Sequence, residues 1–171
     1  MKNIFLIAFA IVAVTSCTQP KKIGFVDNGT LINDYQEKKD IEAKFQSKID
    51  AFQKRTDSIG KAFQLEAQEF QLKAKKLSQA KAQEEYQALS QKQQMLQQKV
   101  QFEEQQIQQA SQTEIDSLIA KVKDYVGDYG KKNGYDYILG SNEGGSVLYG
   151  NEANDLTQTI LDALNADYKK E

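Results

Sequence analysis

Apolar side chains recur every third or fourth position from Ile41 to Tyr129, set in a background of Gln, Lys, Glu and Ala. That period is the signature of amphipathic helix, and the background residues lose little rotamer freedom when a helix forms. No proline falls between Tyr35 and Lys132, and the glycines there are Gly60, Gly127 and Gly130. One uninterrupted helix of roughly a hundred residues would far exceed ordinary helix lengths. The pattern therefore predicts two long helices folded into an antiparallel hairpin, or helices that pair with other chains.

The outgoing helix is expected from about Lys39 to Leu77. Written as heptads, Phe45, Phe52 and Ile59 fall at d, and Ile49, Phe63, Phe70 and Leu77 at a, with Thr56 between. Beyond Phe63 the d positions are Glu66 and Lys73, beside Ala67 and Ala74, so the seam thins toward the turn. Gly60 stands where the firm part gives way to the thin part; it is either a flexible point or a tolerated surface glycine. The reversal is expected around Lys76–Ala82, where the period is weakest, although no Gly or Pro marks it. The return helix, from about Gln83 to Lys132, has its seam at Tyr86, Leu89, Gln93, Leu96, Val100, Glu103 and Ile107. A stutter at Ser111 and Ile115 precedes Leu118, Val122, Tyr125 and Tyr129. Both helices are thus predicted firm at the ends far from the turn and soft near it.

The flanks carry short elements. Ile23–Asp27 reads as a strand, Asn28-Gly29 as a turn, and Thr30 as the cap of a helix starting at Leu31. After Gly130, Lys131, Lys132 and Gly134 close the long helix, Tyr135–Gly140 reads as a strand. Ser141–Gly145 reads as a hairpin loop and Ser146–Gly150 as the partner strand. Asn154 or Asp155 then caps a last helix with Leu156, Ile160, Ala163, Leu164 and Tyr168 on one face. Three short strands and a helix bury too little surface to stand alone, which predicts that this piece oligomerises.

At the other end, Lys2 and the apolar run Ile4–Val14 have the form of a signal peptide. Val14-Thr15-Ser16-Cys17 resembles a bacterial lipobox, which implies cleavage before Cys17 and lipid on its sulfur; the alternative is an ordinary secretory signal with an incidental cysteine. Lys21 and Lys22 then lie in a short tether, near lipid head groups or simply solvated.

Composition narrows the function. The 171 residues contain no His and one Cys, which removes the commonest general base and metal ligand and any internal disulfide. No phosphate-binding glycine loop or paired-carboxylate constellation is present, so an enzyme, a metal site and a cofactor are not expected. Net charge is −2 but unevenly spread. Residues 61–99 carry seven Lys against four Glu, and residues 101–171 carry six Lys against thirteen acids. Nucleic acid is not an expected partner of an exported chain with so acidic a C-terminal third.

The order of parts, with Ile-Gly-Phe-Val-Asp at 23–27 and Gly-Tyr-Asp-Tyr-Ile-Leu at 134–139, then Val-Leu-Tyr at 147–149 and Asn-Asp-Leu-Thr at 154–157, resembles the Skp/OmpH family of periplasmic chaperones over residues 23–168. The resemblance implies an α+β homotrimer. Its small β-barrel body is formed by trimerisation, and each chain contributes a long antiparallel helical hairpin as a tentacle. It also implies an ATP-independent holdase that keeps unfolded outer-membrane proteins in a cavity between the tentacles. The division implied is signal peptide 1–16, lipidated tether 17–22, body 23–36 and 120–171, and tentacle 37–119. Ile23, Phe25, Val26, Tyr137, Leu139, Val147 and Tyr149 are the expected trimer-body residues. Phe63, Phe70, Leu77, Tyr86 and Leu96 are candidates for apolar client contact, against the alternative that they pack within the seam. Lys73, Lys75, Lys76 and Lys81 are candidates for electrostatic contact, against the alternative of a solvated tip. The chain is less basic than is usual in that family, and its lipobox points to a protein held at a membrane. A structural or tethering envelope lipoprotein, with the coiled coil as spacer, is the competing reading.

Overall fold

The structure, a computed structural model of the chain, describes residues 21–142 and 144–170. The expected signal peptide and Cys17 lie outside the described residues. The elements run in order: β1 (Ile23–Asp27), α1 (Asn28–Asp34), α2 (Gln36–Ala74), α3 (Gln79–Lys132), β2 (Tyr137–Ser141), a 3-10 turn (Glu152–Asn154) and α4 (Thr157–Tyr168).

Asn28-Gly29, expected to turn, instead begins α1. The Asp27 carboxylate accepts from the Thr30 backbone N–H at 2.7 Å, so Asp27 is the cap in place of Thr30. Both residue types cap well, and what decides is which one remains extended: Asp27 is the last residue of β1. A single extended residue, Tyr35, separates α1 from α2.

Helix α2 is 39 residues long and α3 is 54 residues, about 58 and 81 Å at 1.5 Å per residue. They form the predicted antiparallel hairpin. Its reversal occupies Lys75–Ser78, slightly earlier than the sequence pattern placed it, and the Ser78 hydroxyl accepts from the Lys81 N–H. Cross-helix ion pairs set the register, among them Glu37–Lys121 at 2.8 Å, Lys44–Glu114 at 2.6 Å, Arg55–Glu103 and Glu66–Lys92.

β1 and β2 are parallel, paired from Ile23↔Tyr137 to Asp27↔Ser141. The expected antiparallel partner at Ser146–Gly150 does not form a strand among the described residues. The neighbour of β2 is instead β1, because the hairpin returns the chain to its own starting end. The other edge of β1 is closed by a bridge from Phe25 to Asp155, with the Leu156 N–H donating to the Phe25 carbonyl at 2.9 Å. Lys22, expected in a short tether near lipid head groups or in solvent, is docked. Its ammonium donates to the Asn133 carbonyl at 2.9 Å and sits 4.0 Å from the centre of the Tyr135 ring, while its backbone exchanges hydrogen bonds with Asp136.

The core lies where the hairpin base meets this sheet and α4. Val26, Leu31, Tyr35, Leu118, Val122, Leu156, Ile160, Leu161 and Leu164 are buried together. Leu161 was not expected on the buried face of the last helix. Burial of both Ile160 and Leu161 shows that α4 is covered over a wider arc than one stripe.

Candidate functional site

Between Gln46 and Ser117 no side chain of the hairpin is fully buried. Fully buried positions on the two helices are Phe45, Leu118 and Val122, with Gly130, all toward the base. Seam residues farther out are half-buried: Ile49, Phe52, Ile59, Phe63 and Phe70 on α2, and Leu89, Leu96, Val100 and Ile107 on α3. A two-helix seam can bury each side chain on one side only, and Gln, Glu and Ala at the intervening positions leave it unfilled. Grooves of about 340 Å³ beside Phe52 and Ile107 and about 300 Å³ beside Phe70 and Leu89 open along it.

Of the candidate contact residues, Phe63, Phe70, Leu77 and Leu96 are half-buried, and Phe70 shares a groove with Ala88 and Leu89 of the opposite helix. Tyr86 is exposed, with its ring centre 6.4 Å from that of Phe70. Lys73 pairs with Glu69 on its own helix, while Lys75, Lys76 and Lys81 make no ion pair among the described residues. Sequence reasoning passed over Leu65, Leu72, Met95 and Phe102. These are exposed by 61%, 72%, 63% and 62%, off the seam altogether. Their signal was present in the sequence as apolar residues that fit neither a nor d.

At the base a polar clamp holds the hairpin to α4. Glu37 accepts from Lys121 at 2.8 Å and from the Tyr35 hydroxyl at 2.6 Å. Burial pushes the Glu37 carboxyl up, but those two hydrogen bonds and the Lys121 charge outweigh it and hold it below its ordinary value of 4.5. The Tyr168 hydroxyl donates to Asp40 at 3.0 Å, and this bond, helped by burial, raises the Tyr168 pKa.

The body presents an open apolar face. Alternation along β1 turns Gly24 and Val26 inward, so Val26 belongs to the core of its own chain. Ile23 and Phe25 occupy the opposite face, opposite Tyr137 and Leu139 of β2. Ile23, Tyr137 and Leu139 are exposed. Beyond them Val147 is half-buried, whereas Leu148 and Tyr149 are exposed by 92% and 88%. A groove of about 760 Å³ lined by Val26, Leu31, Ile32, Val122, Val126 and Ile138 adjoins the sheet.

Among the described residues no group of three or more Asp, Glu, Cys or His is placed to hold a metal ion, and no helix is long and apolar enough to cross a membrane. What the arrangement offers is surface: long, soft-seamed arms on a small body with an uncovered sheet face.

These features define a class, proteins in which a long helical hairpin projects from a small α/β body. The family model for OmpH-like outer membrane proteins matches residues 22–164, and the chain belongs to that family. The fold is similar to the crystal structure of a candidate outer membrane chaperone (OmpH-like) from Caulobacter crescentus CB15. The TM-score is 0.76 and the identity 16%, and the match covers 86% of each chain. No curated protein matches in sequence.

Proposed function

We propose that this protein is an ATP-independent holdase chaperone that binds unfolded outer-membrane proteins in the periplasm, working as a homotrimer whose hairpins surround the client. The observation that carries the reading is the hairpin itself: 93 residues in two helices, with no fully buried side chain from Gln46 to Ser117 and apolar residues left open to solvent. A plain spacer gains nothing from exposed Leu, Met and Phe. An arm that must fit clients of different shape needs a soft seam and accessible apolar surface. Family membership supports the same reading.

Trimerisation is supported by the uncovered face of β1 and β2 and by the unpartnered Leu148 and Tyr149. A two-stranded sheet with an apolar outer face is not independently stable and gains by pooling strands from several chains. Acylation of Cys17 would hold the body at a membrane surface, with the arms reaching into the periplasm.

An aggregation assay tests the proposal. Purified protein at a stoichiometric ratio should suppress aggregation of a β-barrel outer-membrane protein diluted from urea, without nucleotide, and should sediment as a trimer. A stable monomer with no effect on aggregation would leave the tethering spacer as the better reading.

A further inference from the structure

We infer that the client is gripped from outside the hairpin seam, by two rows: Lys61, Leu65, Leu72 and Lys75 along α2, and Met95, Lys99 and Phe102 along α3. This rests on the holdase reading above and names the residues and the client chemistry.

The geometry comes from spacing. Leu65 and Leu72 are seven apart, as are Met95 and Phe102, so each pair shares one helix face. Lys61 precedes Leu65 by four residues, Lys75 follows Leu72 by three, and Lys99 lies between Met95 and Phe102 on the same face. The Glu66–Lys92 and Arg55–Glu103 pairs set the level of the two rows. Leu65 stands level with about residue 93, and Phe102 with about residue 56, so the two rows run nearly end to end along the distal half of the arm, the α3 row nearer the body and the α2 row nearer the turn.

The occupant follows from two observations. The first is sparseness. Apolar residues seven apart along a helix are about 10.5 Å apart. A second helix packing knobs into holes needs one every three or four residues, so neither row is a seam for another copy. An extended chain, which places each side chain independently, can use such widely spaced contacts. The second is charge. Of the seven lysines in residues 61–99, Lys73 and Lys92 are the ones ion-paired among the described residues, leaving five; of the four glutamates, Glu66 and Glu69 are paired, leaving two. The unpaired lysines interleave with the exposed apolar side chains. The matching ligand is an unfolded polypeptide segment in which carboxylates alternate with apolar and aromatic side chains.

The test uses the full-length processed protein and a fluorescently labelled outer-membrane β-barrel protein diluted from urea. The variant Leu65→Gln/Leu72→Gln/Met95→Gln/Phe102→Gln keeps good helix formers at exposed positions. It should retain the wild-type circular dichroism and sedimentation mass while client affinity falls by roughly tenfold or more. A second variant, Lys61→Gln/Lys75→Gln/Lys99→Gln, should flatten the salt dependence of client binding. Wild-type affinity in the first variant would overturn the inference and leave the holdase reading intact. A changed sedimentation mass would also overturn it, by showing the rows to be a self-association surface. Failure of the wild-type protein to bind the client would instead remove the holdase reading itself.

Discussion

The Asn165 side-chain oxygen accepts a hydrogen bond from the Gln36 backbone N–H at 2.9 Å, so the last helix caps the first turn of the outgoing arm across 129 residues of chain. Helix α2 has no local side-chain cap, because the residue before it is Tyr35. Removing this remote cap with Asn165→Ala should cost about 1 kcal/mol. Asn165→Asp keeps the acceptor and should recover most of the loss. Urea unfolding followed by circular dichroism measures both.

Thr157 joins the sheet to α4. Its buried hydroxyl accepts from the Asp27 N–H at 2.8 Å and donates to Asp155. Thr157→Val retains the shape but leaves the Asp27 N–H without its partner, at an expected cost of about 1–3 kcal/mol. Thr157→Ser keeps both hydrogen bonds and should lose less than about 1 kcal/mol. Equal losses in the two variants would show that packing outweighs the hydroxyl.

Stability along the arm should be graded. Phe45, 3% exposed, is the one fully buried residue of α2. Phe45→Ala should destabilise by about 3–4 kcal/mol. Half-buried Phe63 has less apolar area to lose, and Phe63→Ala should cost about 1–2 kcal/mol. Native-state hydrogen exchange should show the matching gradient, with the amides around Lys61–Lys99 opening at lower free energy than those near Leu118.

The Glu37 carboxyl is held below its ordinary value in the folded chain, chiefly by its hydrogen bonds with Lys121 and Tyr35 working against burial. A depressed carboxylate stabilises the fold at neutral pH, and that contribution is lost as pH falls below the ordinary value of 4.5 and through the folded value. Melting temperature should therefore drop more steeply below that pH in the wild type than in Glu37→Gln. The two curves should converge at the acid end.

Gly24 sits where β1 passes under α4, and a Cβ there would lie 2.5 Å from Leu156 Cδ1. Gly24→Ala should cost about 1–3 kcal/mol through overpacking. Gly60 has open space around it, so Gly60→Ala should stabilise by about 0.5–1 kcal/mol. Thermal unfolding of the two variants should shift in opposite directions.

The hairpin was legible in the sequence because its signals are local. The helical period, the absence of proline and the straight-chain composition all act within a turn or two of chain, and the thinning seam beyond Phe63 could be counted position by position. The gradient from firm base to soft tip followed from the same count. Asp27 and Thr30 lie beyond what local signals decide: either could cap, and only the length of β1 chose between them. The pairing of Ile23 with Tyr137 was not legible, because strand neighbours 114 residues apart depend on where α3 delivers the chain. Ser146–Gly150 has the composition of a strand, yet it forms none among the described residues although the far edge of β2 stays open.

The same division applies to the candidate site. Composition and period determined that this chain makes long, soft-cored helices and a small body that does not bury its own apolar surface. Which apolar residues could remain available was written in the heptad positions, but that they do remain exposed was decided by the packed hairpin. Phe63, Phe70 and Leu96 are half-buried on the heptad face that each helix offers to the other. Leu65, Leu72, Met95 and Phe102 stand off that face and stay exposed. A side chain's period states which face it occupies, and only the packed partner states whether that face is already taken.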